Sequence, residues 1–162
     1  GDGQVWGVEL DLSTPLTAFG MEHTGVFLNY SWLDSEIRDL FGTRRFNDQS
    51  GNVLNIGFIQ SLPTPQMSFG ITYRRQGSAY GRIIGEEVRT SYGADLEAFV
   101  EKRFGEHWTL RLTGSNLLDA SKDEIFDKFT TVQDQMDRSH DEFEIERETG
   151  GRVYQLVMRY EF

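Results

Sequence analysis

The closing stretch, Gly151–Phe162, reads GRVYQLVMRYEF. From Tyr154 onward every second residue, Tyr154, Leu156, Met158, Tyr160 and Phe162, is apolar or aromatic, with Gln155, Arg159 and Glu161 among those between them. A period of two belongs to a strand whose two faces meet unlike surroundings. Six earlier segments repeat it: Trp6–Leu12, Val26–Trp32, Leu54–Phe58, Met67–Tyr73, Tyr92–Val100 and Trp108–Leu112. Helical periodicity is weak, and a helix is expected only around Ser121–Met136.

The bulk composition narrows what such strands can build. A chain of 162 residues with 38% hydrophobic content suits one structural unit. A formal net charge of -10 argues against nucleic acid as a partner, because phosphate neutralisation needs a basic face. Cysteine is absent, so disulfides and Cys-ligated metals are excluded. No run approaches the roughly 18 apolar residues of a membrane helix. Any passage through a membrane must use strands.

The links between strands alternate in length. Those after the first, third and fifth strands are short: TPLTAFGMEH, SLPTPQ and FGEH. Those after the second, fourth and sixth are long: DSEIRDLFGTRRFNDQSGN, RRQGSAYGRIIGEEVR and the acidic DASKDEIFDKFTTVQDQMDRSHDEFEIERETGG. In an up-and-down sheet successive links fall at opposite ends, so all the long ones gather at one end. Loops above about 15 residues are uncommon in compact domains and usually functional or disordered.

Alternation alone fits either a water-soluble barrel of the lipocalin kind or its inside-out counterpart in a membrane. Three features favour the membrane. Aromatics cluster near the ends of the apolar stripes (Trp6, Trp32, Tyr73, Tyr92, Trp108, Tyr154, Tyr160 and Phe162), as in interfacial girdles. The intervening positions mix Gly, Ser, Thr and Asn with charges of both signs, and strand lysines are nearly missing apart from Lys102. Short turns at one end and long loops at the other are the habit of outer-membrane barrels.

The segment WTLRLTGSNLLDA, Trp108–Ala120, followed by a long loop and a strand ending in YEF, resembles the last two strands of a TonB-dependent outer-membrane receptor. Asn116, Leu117, Leu118 and Asp119 match that family's Asn-Leu-aromatic/Leu-Asp stretch. GVELDLSTPL with NYSWLDSEI is similar to an earlier hairpin of its barrel, and RRFNDQSGNVLNIGF to a loop leading into a strand, marked here by Asn55. The resemblance implies an all-β, transmembrane, antiparallel up-and-down β-barrel of about 22 strands around an N-terminal plug. Residues 1–162 are expected to be its C-terminal portion, about the last seven strands, with the plug and the earlier strands outside the chain. The implied function is active import of a scarce nutrient, a ferric siderophore, haem, cobalamin or oligosaccharide, across the bacterial outer membrane with TonB-derived energy. The implied partners are membrane lipid and lipopolysaccharide, the barrel-assembly machinery, the TonB complex through the plug, and a small-molecule ligand. A smaller barrel acting as a passive channel or adhesin, or a soluble lipocalin-like binder, remain alternatives.

Two sets of residues stand out as candidate sites. Tyr154, Leu156, Met158, Tyr160 and Phe162 resemble the C-terminal signal read by the barrel-assembly machinery, besides facing lipid. Arg44, Arg45, Arg74, Arg75 and Arg82, with Tyr80, lie in or beside the first two long loops and suit an anionic ligand, since guanidinium matches carboxylate and phosphate geometry. Lipopolysaccharide phosphates or plain solvent are the simpler uses for them. The third loop is expected to be mobile and solvated. Its carboxylates lack the spacing of a calcium loop, and no metal or cofactor is called for. His23, His107 and His140 converge on no nucleophile, so no enzymatic role is expected.

Overall fold

A computed structural model describes residues 2–162. The chain is all-β apart from one short helix and a single 3-10 turn. In chain order the strands are β1 (Gly3–Leu16), β2 (Met21–Asp39), β3 (Gly42–Arg44), β4 (Asn52–Leu62), β5 (Met67–Gln76), β6 (Ala79–Ile83), β7 (Glu86–Tyr92), β8 (Asp95–Phe104), β9 (Trp108–Ser115), β10 (Ser121–Lys128), β11 (Glu142–Thr149) and β12 (Val153–Tyr160). Helix α1 (Val132–Asp137) lies between β10 and β11. Among the described residues no helix is long and apolar enough to cross a membrane.

The seven alternating segments form one antiparallel sheet in the order β1-β2-β4-β5-β8-β9-β12, with β3 added on β2. The fifth begins at Asp95 rather than at Tyr92, which closes β7 in a second sheet and leaves the proposed aromatic girdle. Register places Leu12, Leu28, Ile56, Tyr73 and Leu96 in one row across the sheet. Phe104, Trp108 and Tyr160 form another row. This face is apolar along every strand. It carries aromatics at both ends: Trp32, Tyr30 and Tyr73 near the long links, and Phe104, Trp108 and Tyr160 by the short turns. At the turn end Trp108, Tyr160 and Phe162 touch in sequence, with ring centroids 4.8 and 5.1 Å apart.

The opposite face is polar but not empty. Gly57 and Gly70 lie on it, and a Cβ at either would stand 2.6 and 2.7 Å from the rings of Phe27 and Phe99 respectively. These glycines make slots in which two aromatic rings lie against the backbone of the neighbouring strand. Arg111 stacks over the Phe99 ring at 4.0 Å and reaches Glu101 at 3.5 Å. Ser115 donates to Glu97, and Asn29 to Asp11. Glu101, Glu97 and Asp11 are thus each tied to a neighbouring strand, as cross-strand partners on a pleated surface should be.

The long links are strands and not loose loops. β6 pairs with β7, β7 with β10 and β10 with β11, giving a four-stranded sheet, β11-β10-β7-β6, stacked end-on above β5, β8, β9 and β12. The third link, expected to be mobile, is the β10–β11 hairpin closed by α1. Its alternating KDEIF and EFEIER segments had the strand period, masked by their charge. The helix expected over 121–136 shrinks to α1, because Ser121–Lys128 finds two strand partners. Its start is fixed by Thr131 and Asp134 in a reciprocal capping box.

The two tiers meet along a line of strand interruptions at Gly77–Ser78, Gly93–Ala94, residues 116–120 and 150–152. Asn116, at φ 52°, organises the line. Its backbone N–H donates to Asp95, its Oδ1 accepts from the Ala120 N–H at 2.7 Å, and its Nδ2 donates to the Gly151 carbonyl at 2.9 Å. One residue, through its backbone and its side chain, therefore joins the ends of β8, β9, β10 and β12.

Scarcely any hydrophobic side chain is buried. Among the described residues only Ala79 and Phe129 are buried apolar ones. Tyr154, Leu156 and Met158 on β12 are each about two-thirds exposed, at 66%, 67% and 67%. The main sheet stands open on both faces and along β1 and β12.

Candidate functional site at the end where the long links gather

The six residues picked out from the long links divide among three places. Arg44, Tyr80 and Arg82 come together. Arg44 bonds Asp39 at 2.7 Å and donates to Asn47 Oδ1 at 2.6 Å. Asn47 in turn accepts from the Arg82 N–H at 3.0 Å and donates to the Arg82 carbonyl at 3.1 Å. The Asp48 N–H donates to the Tyr80 carbonyl, so the first link runs along the outer edge of β6.

On the far side Arg82 Nε meets Glu87 at 2.6 Å, and the Tyr80 hydroxyl donates to the other oxygen of that carboxylate. Glu87 is only 5% exposed and has a partner on each carboxylate oxygen. The Arg82 guanidinium also lies 5.2 Å from the Phe41 ring centre. Burial first, then the bond to Glu87, pushes the Tyr80 hydroxyl above its usual pKa, so it stays protonated. Burial works against the Arg82 charge, but the bonds to Tyr80 and Glu87 outweigh it and raise its pKa. The Arg44 hydrogen bond leads in holding Asp39 below the carboxylate range. Arg44 and Arg82 are committed to carboxylates of the chain itself, which leaves little of either for an anionic ligand.

Arg74 and Arg75 sit at the top of β5 on opposite faces. Arg74 is opposite Asp95 on the polar face. Arg75 is opposite Leu54 on the apolar face, is exposed, and makes no ion pair or side-chain hydrogen bond among the described residues. Arg45 occupies the third place, bonded to Asp34 at 2.7 Å and to the Leu33 carbonyl at 2.6 Å, and remains about half exposed.

The acidic hairpin is laced internally. Lys128 holds Glu144 at 2.7 Å and Glu142 at 3.1 Å, Arg147 grips Asp123 with two bonds, and Lys122 holds Glu124. Among the described residues no grouping of three or more His, Asp or Glu side chains could hold a metal ion. The histidines are far apart in role: His107 contacts the Glu161 carbonyl at the turn end, while His140 lies 3.9 Å from Asp127.

Reasoning from sequence missed Glu87, Asn47 and Gln135. Glu87 had a signal, since a two-residue Ile84-Gly85 turn, with Gly85 at φ 87°, sets Glu87 opposite Arg82. Gln135 had none. It is 2% exposed and binds the β6–β7 turn, accepting from the Gly85 N–H at 3.0 Å and donating to the Ile83 carbonyl at 2.9 Å.

The closing-strand residues Tyr154, Leu156, Met158 and Tyr160 all lie on the apolar face of β12, which pairs with β9 on one side only. Phe162 lies just past the strand. Comparison with known proteins finds no matching family model, no matching curated protein and no matching solved structure.

Proposed function

We propose that the chain is a membrane-spanning β segment of a bacterial outer-membrane nutrient receptor, of the TonB-dependent kind that its C-terminal motifs resemble. One observation carries the reading: a seven-stranded sheet keeps a continuous apolar face uncovered, rimmed at both ends by aromatics. Such a face in water is a liability far larger than the few hundred Å² that soluble monomers expose. In lipid it is what a barrel exterior requires. Leu96–Phe104 and Tyr154–Phe162 each run nine residues from one rim of this face to the other, the length a tilted strand needs to cross a bilayer, about 9–11.

On this reading the polar face, with its paired charges, looks into a barrel interior completed by further strands and a plug. The stacked upper tier projects outside the cell. The chain works by carrying a scarce nutrient inward with energy passed through TonB, and it performs no catalysis. Tyr154, Leu156, Met158, Tyr160 and Phe162 guide assembly by offering the open edge of β12 to the barrel-assembly machinery.

The reading is tested in two steps. Purified chain should need detergent or lipid to stay monodisperse and β-rich; a folded monomer in plain buffer would overturn it. A strain lacking the gene should lose growth on one ferric chelate, haem, cobalamin or glycan supplied at limiting level. Normal growth and uptake on all of them would overturn the transport assignment.

A further inference from the structure

The upper sheet treats its two outer strands differently. On β6 the first link fills the edge: the Asp48 N–H donates to the Tyr80 carbonyl at 3.1 Å, and Asn47 accepts from the Arg82 N–H at 3.0 Å and donates to its carbonyl at 3.1 Å. β11 pairs with β10 alone, and no other strand among the described residues lies on its far edge. Such an edge is a row of unpaired backbone N–H and C=O groups, a template for one more strand, and proteins commonly guard it with a proline, a bulge or lysines. β11 has none of these. Its 8 residues, EFEIERET, contain neither proline nor lysine, and their register against β10 runs without a shift.

The side chains of β11 select what could add to it. Glu142, Glu144, Glu146 and Glu148 share one face, while Phe143 and Ile145, at 52% and 62% exposure, share the other. Lys128 reaches Glu142 and Glu144 from β10, and Lys122 comes within 3.8 Å of Glu148. Glu146 stands opposite Glu124 and has no cationic partner among the described residues. Antiparallel pairing with β11 of a second copy would keep like faces together and set glutamate against glutamate, which repels. A strand with basic residues on one face and apolar residues on the other is attracted on both.

We propose that β11 is a docking edge for an extended peptide segment in which lysine or arginine alternates with apolar residues, bound antiparallel as a further strand of the upper sheet. Its basic side chains lie against the glutamate face and its apolar ones against Phe143 and Ile145. The proposal is independent of the transport reading, because the upper sheet presents this edge whatever the main sheet crosses.

The test adds to the full chain, in mild detergent, a labelled peptide the length of β11 that alternates lysine with valine. Fluorescence anisotropy reads its affinity, and amide exchange reads where it lies. The peptide should bind and slow exchange along β11. Glutamate in place of its lysines should weaken binding about tenfold or more, since opposite charges across a strand pair attract and like charges repel. N-methylation of the alternate peptide amides that face β11 keeps the charge and removes the donors, and should abolish the exchange protection. Glu146→Lys with Glu148→Lys should reverse the preference between the two peptides, with unchanged protection of β7 and β10 verifying that the tier is folded. Glu146→Gln, which also relieves the contact with Glu124, should weaken the lysine peptide about twofold to fivefold. Equal binding of the lysine and glutamate peptides, undiminished binding of the N-methylated one, or an unchanged preference in the double variant would overturn the docking edge. So would slow exchange along β11 before any peptide is added, because a second copy or another strand would then already hold it.

Discussion

Single residues set how closely the strands approach one another. Gly57 faces Phe27 on the polar side, and a Cβ there would also lie 2.5 Å from the Ile71 carbonyl oxygen, a backbone atom that cannot swing aside. Gly57→Ala should therefore cost about 1–3 kcal/mol, read as a lower urea midpoint in detergent. Restoring room by Phe27→Leu should recover only part of that loss, because the clash with the carbonyl remains. Asn116 offers a sharper series. Asn116→Gly keeps the positive φ and loses the bonds to Ala120 and Gly151; Asn116→Asp keeps the acceptor for Ala120 and loses the donor; Asn116→Ala loses both bonds and meets the φ penalty. Stability should fall in the order Asn, Asp or Gly, Ala, with the last about 2–4 kcal/mol below wild type. If all three variants unfold with Asn, the junction does not depend on this side chain. The sequence made Asn116 visible as part of NLLD, but its work was not legible, because its partners Asp95 and Gly151 are 21 and 35 residues away.

At the scale of the elements, the upper tier is held by a peg and by charge. Gln135 from α1 secures the β6–β7 turn, and Gln135→Ala should speed amide exchange at Gly85 while leaving the main sheet unaffected. The carboxylates of the tier are tuned to one range of pH. Hydrogen bonds from Arg147, Lys122, Thr130 and Lys128 lead in lowering the pKa of Asp123, Glu124, Asp141 and Glu144 respectively. Each is more readily protonated unfolded than folded, so each adds stability above its unfolded value near pH 4 and gives it up as pH falls through the lower folded value. The bonds to Glu144 and Glu142 raise the pKa of Lys128, whose contribution is whole below about pH 10.4 and is lost only in stronger base. The tier should keep its full amide protection, corrected for intrinsic exchange rates, from about pH 5 to 10 and lose it first below about pH 4. These groups are exposed, so the change should be gradual. An equally protected tier at pH 3 would show that the lacing adds nothing. Solvent-facing charge is what hid β10 and β11 from the sequence: four glutamates on one face of β11 read as a soluble loop until a partner strand is in view.

At the scale of the whole molecule, the seven-stranded meander was legible from period and link length, since each stripe is patterned from end to end and the links between them alternate short and long. Its second storey was not, because each upper strand is short and the pairing that unites its two hairpins, β7 with β10, joins segments distant in sequence. Tryptophan reports on the placement of the sheet. Trp32 and Trp108 stand on the apolar face at opposite ends, at 40% and 44% exposure. In lipid vesicles, single-Trp versions retaining either residue should be quenched by bromine placed near the glycerol backbone more than by bromine at the chain ends. Equal or reversed quenching would contradict an interfacial position for both rims.

The row of breaks between the tiers has a consequence for variation. The chain crosses it four times, at Gly77–Ser78, Gly93–Ala94, 116–120 and 150–152, and the last three crossings are tied by Asn116. What lies below must match its neighbours in register along the whole sheet, whereas what lies above answers only to its own four strands and the strap from the first link. The line works as a graft union: a different crown could be set on the same rootstock by exchanging residues 78–93 and 120–150, so that this surface is free to diversify while the stem that carries it stays the same.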